Sequence, residues 1–371
     1  MPNDQVLSSK CSSSTSGAWK VPEVMAIIGP ILEKPEDLQR AIQAEARWFR
    51  LPCGYRQRPH VQNARDAKAA ASGLGIPVQL LADLPSSRPR TGGMQELRLS
   101  LGDHVLFWDP EVAAATPTQN GSAPVPLPGL SEFIHKLIPR QRMWFCDGRL
   151  RFVVDEVHKQ GVYAHLADGC IALKSWNSLF LPDSVSPFCV ITESDRTLLA
   201  ALAAGDVHPD WVALSLISSE QDVMDGRREV SALLGPNVRI MAKIETAPAW
   251  EQAEAILSHA DGLMVARGDL GLAVGYLRLP EVQEQLVALA RRAGKPVVVA
   301  TQAMEVFAET GLPQRAELSD LSLIARQRAD ALMLGKETVF SPRPIDCINF
   351  AREVLTHETR RFEKEAAASR R

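Results

Sequence analysis

Apolar residues fall along this chain in short, nearly unbroken runs. They are "VMAII" (24–28), "RWFRL" (47–51), "VQLLAD" (78–83), "WVALSLI" (211–217), "RIMAKIE" (239–245), "GLMVAR" (262–267), "PVVVAT" (296–301) and "DALMLG" (330–335). A strand with one buried face alternates apolar and polar residues, whereas one buried on both faces is apolar at almost every position. Between most of these runs the apolar residues recur at steps of three and four, as in "LPEVQEQLVALARRAG", which has a glycine at its end. That spacing predicts amphipathic helices. Eight doubly buried strands separated by helices predict an α/β fold, a (β/α)8 TIM barrel.

The rhythm breaks once, between the third run and the fourth. There "LRLSLGDHVLFWD", "RMWFCDGRLRFVVDEV" and "GVYAHLADGCIALKS" alternate, with Gly and Asp at the turns, as in a small β-domain. Within this stretch "ATPTQNGSAPVPLPG" reads as a loop, and Asp147-Gly148 reads as a hairpin turn. The expected architecture is a barrel from 21–90 and 184–357, with an all-β domain at 91–183 inserted after strand three. A Ser-rich tail is expected at 1–20 and a C-terminal tail at 358–371. Trp211 and Trp250 are expected to pack in the core or between helices.

Composition narrows the function classes. The 371 residues are 46% hydrophobic, and 41 basic against 44 acidic residues leave a net charge of −3. Neither nucleic acid nor an anionic membrane is an expected partner of such a balance, and no apolar run has the length of a bilayer span. The six cysteines form no C-x-x-C pair and the eight histidines no ligand-spaced cluster. Reduced thiols in a cytoplasm are expected, rather than a disulfide frame or a zinc site.

In barrels of this kind the chemistry sits at the C-terminal ends of the strands. Arg50, Asp83, Ser215, Lys243, Glu245, Asp269, Thr301 and Glu337 occupy those ends. Lys243 and Glu245 are two apart, so they point the same way if the strand continues through them. A buried lysine beside a carboxylate is costly unless paired or serving a ligand. Glu245 and Asp269, from neighbouring strands, suit Mg²⁺ or Mn²⁺, whose other positions go to water and substrate oxygens. In "ARGDLG", Gly268 and Gly271 permit close backbone approach to a ligand, and a helical turn starting there would seat a carboxylate or phosphate. A cation, a metal, an anion seat and the Thr301 hydroxyl together suit an oxyanion or enolate. Structural readings stand beside these. Lys243 and Glu245 can pair across the barrel, Glu337 can stabilise its rim, and Arg50, Arg56, Arg58 and Arg88 can be surface charges.

"AKIE", "DGLMVARGDLG", "GKPVVVATQAME", "PQRAELSD" and "ADALMLGKET" resemble successive barrel signatures of the pyruvate kinase family. "AIIGP", "RPRTG", "ITESD" and "IALKSWNSLFLP" extend the resemblance over roughly residues 20–355. It implies phosphoenolpyruvate plus ADP giving pyruvate plus ATP through a metal-stabilised enolate. By the same resemblance Lys243 is the cation near the transferring phosphoryl group, and Glu245 and Asp269 hold Mg²⁺ or Mn²⁺. The backbone at Ala266, Arg267 and Gly268 seats the substrate carboxylate, with Asp269 and Ser215 beside it. Thr301 lies near the carbon that is protonated, and Arg50 contacts phosphate.

The sequence also departs from the family. Pro52 and Gly54 replace the Asn and Ser that serve K⁺ in the family. Asp83 keeps a third K⁺ ligand, but Leu84 follows it and Arg88 stands where K⁺-dependent members have Glu. This implies that a guanidinium replaces the monovalent ion, so K⁺ is not expected to be required. On the nucleotide side Tyr55 replaces a His, Asn177-Ser178 a Lys-Gly pair and Phe180 an Asn. Arg56, Arg58 and Lys336 are candidate replacements for the lost charge. Arg90, Asp147 and Glu337 join Asp83, Arg88 and Lys336 as residues of the nucleotide side or the monovalent-ion position. Only "RRFEKEAAASRR" follows the last helix, so regulation through the family's C-terminal effector domain is not expected, while homo-oligomers are. Two alternatives keep the enolate site without nucleotide: a metal-dependent 2-oxo acid lyase or decarboxylase, and a non-catalytic phosphoenolpyruvate- or pyruvate-binding protein.

Overall fold

The computed structural model describes residues 19–54, 58–112, 122–146, 148–169, 171–182 and 189–369. Its strands, in chain order, are β1 (Glu23–Ile27), β2 (Ala46–Pro52), β3 (Gln79–Leu84), β4 (His104–Trp108), β5 (Ala123–Pro126), β6 (Arg142–Phe145) and β7 (Leu150–His158). They continue with β8 (Gly161–Gly169), β9 (Leu179–Phe180), β10 (Trp211–Leu214), β11 (Arg239–Ile244), β12 (Gly262–Ala266), β13 (Val297–Ala300) and β14 (Ala331–Met333). Strands β1–β3 and β10–β14 close a parallel barrel in which β1 pairs with both β2 and β14. All eight expected barrel strands are present, in the expected order.

Burial on both faces explains their continuous apolar character. Met25, Trp48, Trp211, Met241, Met264 and Met333 pack inside the ring, while the alternate residues pack outward under the helices. The Trp48 and Trp211 rings lie 5.5 Å apart. Each indole N–H finds an oxygen, Trp48 on Glu23 at 2.7 Å and Trp211 on Gln79 at 3.1 Å, as buried tryptophans require. Trp250 is instead half-buried on a helix, with the Arg278 guanidinium 4.5 Å from its ring centroid.

The second sheet has the order β5-β4-β8-β7-β6-β9, antiparallel except for the β4–β5 pair. All its strands fall between the third and fourth barrel strands. The β6–β7 turn contains Gly148 at φ 77°; Asp147 lies outside the described residues. A Cβ on Gly148 would come within 2.5 Å of the Leu272 side chain, so this turn abuts the helix that follows β12. Glycine answers both the positive φ and the close approach.

Two expected loose segments are ordered. Ala123–Pro126, inside the stretch read as a loop, is strand β5 at the sheet edge. Its prolines suit an edge strand, where ladder donors are dispensable. The last helix runs Pro344–Ala368, beyond the boundary at 357. Its composition there is polar, yet Thr359 and Phe362 are buried, and Phe362 stacks on Trp19 at 6.1 Å. Trp19, read as tail, is therefore packed; residues 1–18 lie outside the described residues. No helix among the described residues is long and apolar enough to cross a membrane.

Candidate active site

Six buried or half-buried charged residues at the C-terminal mouth of the barrel form one chain of alternating sign. Arg50 on β2 pairs with Asp83 on β3 at 2.6 Å, and Asp83 with Lys243 on β11 at 3.0 Å. Lys243 pairs with Glu245 at 2.8 Å. The Arg88 guanidinium, from the segment after β3, reaches Glu245 at 3.3 Å and Asp269 at 2.8 Å. Three cations thus face three acids, and each inner member touches two opposite charges. The barrel register explains the meeting: Asp83 aligns with Ala213, Leu214 with Ala242 and Lys243 with Met264. Adjacent strand ends therefore lie at one level.

Lys243, 8% exposed, also donates to Ser215 Oγ at 2.7 Å, which in turn donates to the Leu84 carbonyl at 2.6 Å. Burial is the largest influence on this ammonium and opposes its charge. Asp83 and Glu245 together outweigh burial and raise its pKa above the usual lysine value. At Asp83 burial is again the largest influence, pushing its pKa up, but Arg50 and Lys243 overcome it and hold the carboxyl below its usual range. Burial likewise opposes the charge on Arg88, and Asp269 and Glu245 reverse the balance, raising its pKa. All three groups are ionised at neutral pH. Breaking one buried pair by removing a partner costs about 3–5 kcal/mol.

Glu245 is fixed further by the backbone N–H of Leu216, which donates to Oε2 at 3.0 Å. Leu216 stands at φ 56°, a strained setting for a branched side chain, of the kind found around functional sites. With Asp269, Glu245 offers two carboxylates that suit Mg²⁺ or Mn²⁺ in kind. No third Asp, Glu, His or Cys joins them as a ligand set among the described residues. One oxygen of each acid accepts from the Arg88 guanidinium. Arg88 acts on Asp83 through its charge, and its hydrogen bonds run to Asp269 and Glu245.

Beyond β12 the helix Arg267–Val274 begins directly at Ala266, as the glycines of "ARGDLG" suggested. The Gly268 N–H donates to Thr301 Oγ1 at 3.1 Å, bringing the expected anion seat and hydroxyl together. Thr301 and Gln302 lie at φ 75° and 53°. Two supports hold this turn. The Arg267 side chain donates to the carbonyls of Ala300 and Thr301 and to both carboxylate oxygens of Asp320. Glu337, fully buried, accepts from the N–H groups of Ala303 and Met304 at 3.1 and 2.8 Å. Asp320, the last residue of "PQRAELSD", carried no assigned role; only the fold shows it facing Arg267.

The nucleotide-side candidates are more dispersed. Lys336 pairs with Glu305 at 3.0 Å and Arg58 with Glu33 at 2.9 Å. Arg90 donates to the Trp176 carbonyl at 3.2 Å and bridges to Ser178, tying the barrel to the inserted sheet. Asn177 is used locally, accepting from the Lys174 N–H at 2.8 Å, and Phe180 is buried 6.2 Å from Trp144. Tyr55 and Arg56 lie outside the described residues.

Known proteins place this arrangement. A family model described as the pyruvate kinase barrel domain matches residues 20–348. A pyruvate kinase of Methylorubrum extorquens is 32% identical over 330 residues, covering 88% of this chain and 66% of that protein. Pyruvate kinase 2 of Synechocystis sp. is 30% identical over 335 residues, covering 88% of this chain and 54% of its own length. A pyruvate kinase of Thermotoga maritima is 26% identical over 345 residues, with 92% and 72% covered. The chain thus spans between half and two thirds of the length of the first two relatives. The barrel match extends across nearly all the strands and strand-end residues described above, and the chain belongs to the pyruvate kinase family.

Proposed function

We propose that the chain catalyses phosphoryl transfer from phosphoenolpyruvate to ADP, giving pyruvate and ATP. The observation that carries this reading is Lys243, held charged at the barrel mouth between Asp83, Glu245 and Ser215. The bond between phosphorus and the enol oxygen breaks as a terminal oxygen of ADP takes the phosphoryl group. The electron pair stays on the enol oxygen, and the enolate then gains a proton at carbon. Lys243 faces the negative charge that develops on that oxygen and on the phosphoryl group. Transfers of this type depend on positioning and charge neutralisation.

The substrate carboxylate lies against the start of the helix at Ala266–Gly268, where backbone N–H groups and the helix dipole favour an anion. Thr301 borders the carbon that is protonated, and Arg50 contacts phosphate. Glu245 and Asp269 would hold Mg²⁺ or Mn²⁺, which supplies positive charge beside the same oxygens when bound. The family name of the relatives supports the reaction class.

The test is product formation with the purified chain and Mg²⁺. Pyruvate released from phosphoenolpyruvate only when ADP is present supports the proposal. Consumption of oxaloacetate without ADP would move the assignment to a 2-oxo acid lyase or decarboxylase. Oxalate binding with turnover of neither acid would move it to a binding protein.

A further inference from the structure

Arg88 reaches the site from an irregular segment, and its hydrogen bonds among the described residues run to Glu245 and Asp269. Arg267 offers a contrast, since carbonyls and Asp320 lock it in place. We propose that Arg88 and a divalent cation are alternative occupants of the Glu245–Asp269 pair. The guanidinium is the resident counter-charge, and its withdrawal admits the ion. This inference rests on reading those two residues as the metal-holding acids.

Geometry and charge support it. An Arg88 nitrogen lies 2.8 Å from an Asp269 oxygen and another 3.3 Å from a Glu245 oxygen. Mg²⁺ demands near-octahedral oxygens at about 2.0–2.1 Å, so the ion needs the positions that these N–H groups fill. The charge chain is already balanced by Arg50, Lys243 and Arg88. A dication added beside an unmoved guanidinium would set like charges together in a poorly solvated site. Withdrawal of Arg88 with no ion to follow is also unfavourable: Glu245 keeps Lys243 at 2.8 Å, but Asp269 loses the cation that it pairs with. Arg88 therefore holds the two acids in place until an ion replaces it. An anion that captures the freed guanidinium would favour ion binding, and the reverse holds by linkage.

Mn²⁺ titration of the full chain, read from the resonance of the free ion without substrate or nucleotide, tests the competition. Arg88→Gln is expected to bind Mn²⁺ at least about tenfold more tightly than the native chain, with Arg88→Lys between them. Mn²⁺ is also expected to raise the melting temperature of Arg88→Gln more than that of the native chain. Equal or weaker Mn²⁺ binding by Arg88→Gln overturns the proposal. A variant that folds only when Mn²⁺ is added supports it, and one that Mn²⁺ does not recover overturns it. Asp269→Asn and Glu245→Gln separate the two readings. If they weaken Mn²⁺ binding while Arg88→Gln does not strengthen it, the competition fails and the metal reading stands. If neither affects Mn²⁺ binding, the metal reading fails and takes the competition with it.

Discussion

Arg267 and Thr301 are locked together: the guanidinium of one grips the carbonyl of the other, while Asp320 anchors the guanidinium from behind. Thr301 is β-branched and sits at φ 75°, a conformation costing on the order of 1–3 kcal/mol that its surroundings must sustain. Asp320→Asn weakens the anchor without touching substrate. We expect kcat per oxalate-titrated site to fall by roughly 10- to 100-fold, with a smaller change in KM, because small displacements of reacting groups are costly. An unchanged kcat per site would mean that the turn holds itself.

For Lys243→Met we expect kcat to drop by about 100- to 1,000-fold, the scale of losing one preorganised electrostatic contact, while oxalate still binds. The melting temperature should fall too, since Asp83 and Glu245 both lose a partner. Near-normal turnover by a folded variant would refute the assignment of Lys243.

Stability in acid should depend on Asp83. Its carboxyl has a lowered pKa in the folded state, so its stabilising contribution is complete above the unfolded value of about 3.9 and disappears as pH falls through the folded value. Asp83→Asn should therefore be less stable than the native chain at neutral pH, yet lose less further stability as pH falls through that window. Melting temperature measured against pH in both chains checks this; parallel curves would remove Asp83 from the acid response.

Potassium should matter little. Asp83, the acid expected to serve a monovalent ion, has one oxygen on Arg50 and the other on Lys243. We expect kcat/KM to be the same in K⁺ and in tetramethylammonium at equal ionic strength. Strong activation by K⁺ would show that these cations do not fill the ion's role.

The barrel was legible because doubly buried strands write an unambiguous pattern, and "GLMVARGDLG" marks where one strand ends and a helix begins. Lys243, Glu245, Asp269 and Thr301 could be picked out because strand ends converge in such a fold. The Lys243–Glu245 pair was legible too, but the arginine contacts were not. Arg88 on Glu245 and Asp269, or Arg267 turned towards Asp320, depends on rotamers and distances that sequence spacing does not encode. Strand β5 escaped because a proline-bearing edge has the composition of a loop. The end of the last helix escaped because its packing depends on Trp19, which is remote in sequence.

The pairing of β1 with β14 joins Glu23 to Ala331, so the ring stays open during synthesis until almost the whole barrel has been made. Until then β1 presents a bare edge that can recruit a strand from another molecule. Loop-closure entropy sets the pace of such distant pairing. Newly made chains should depend on holding factors or low temperature until β14 arrives to seal the seam.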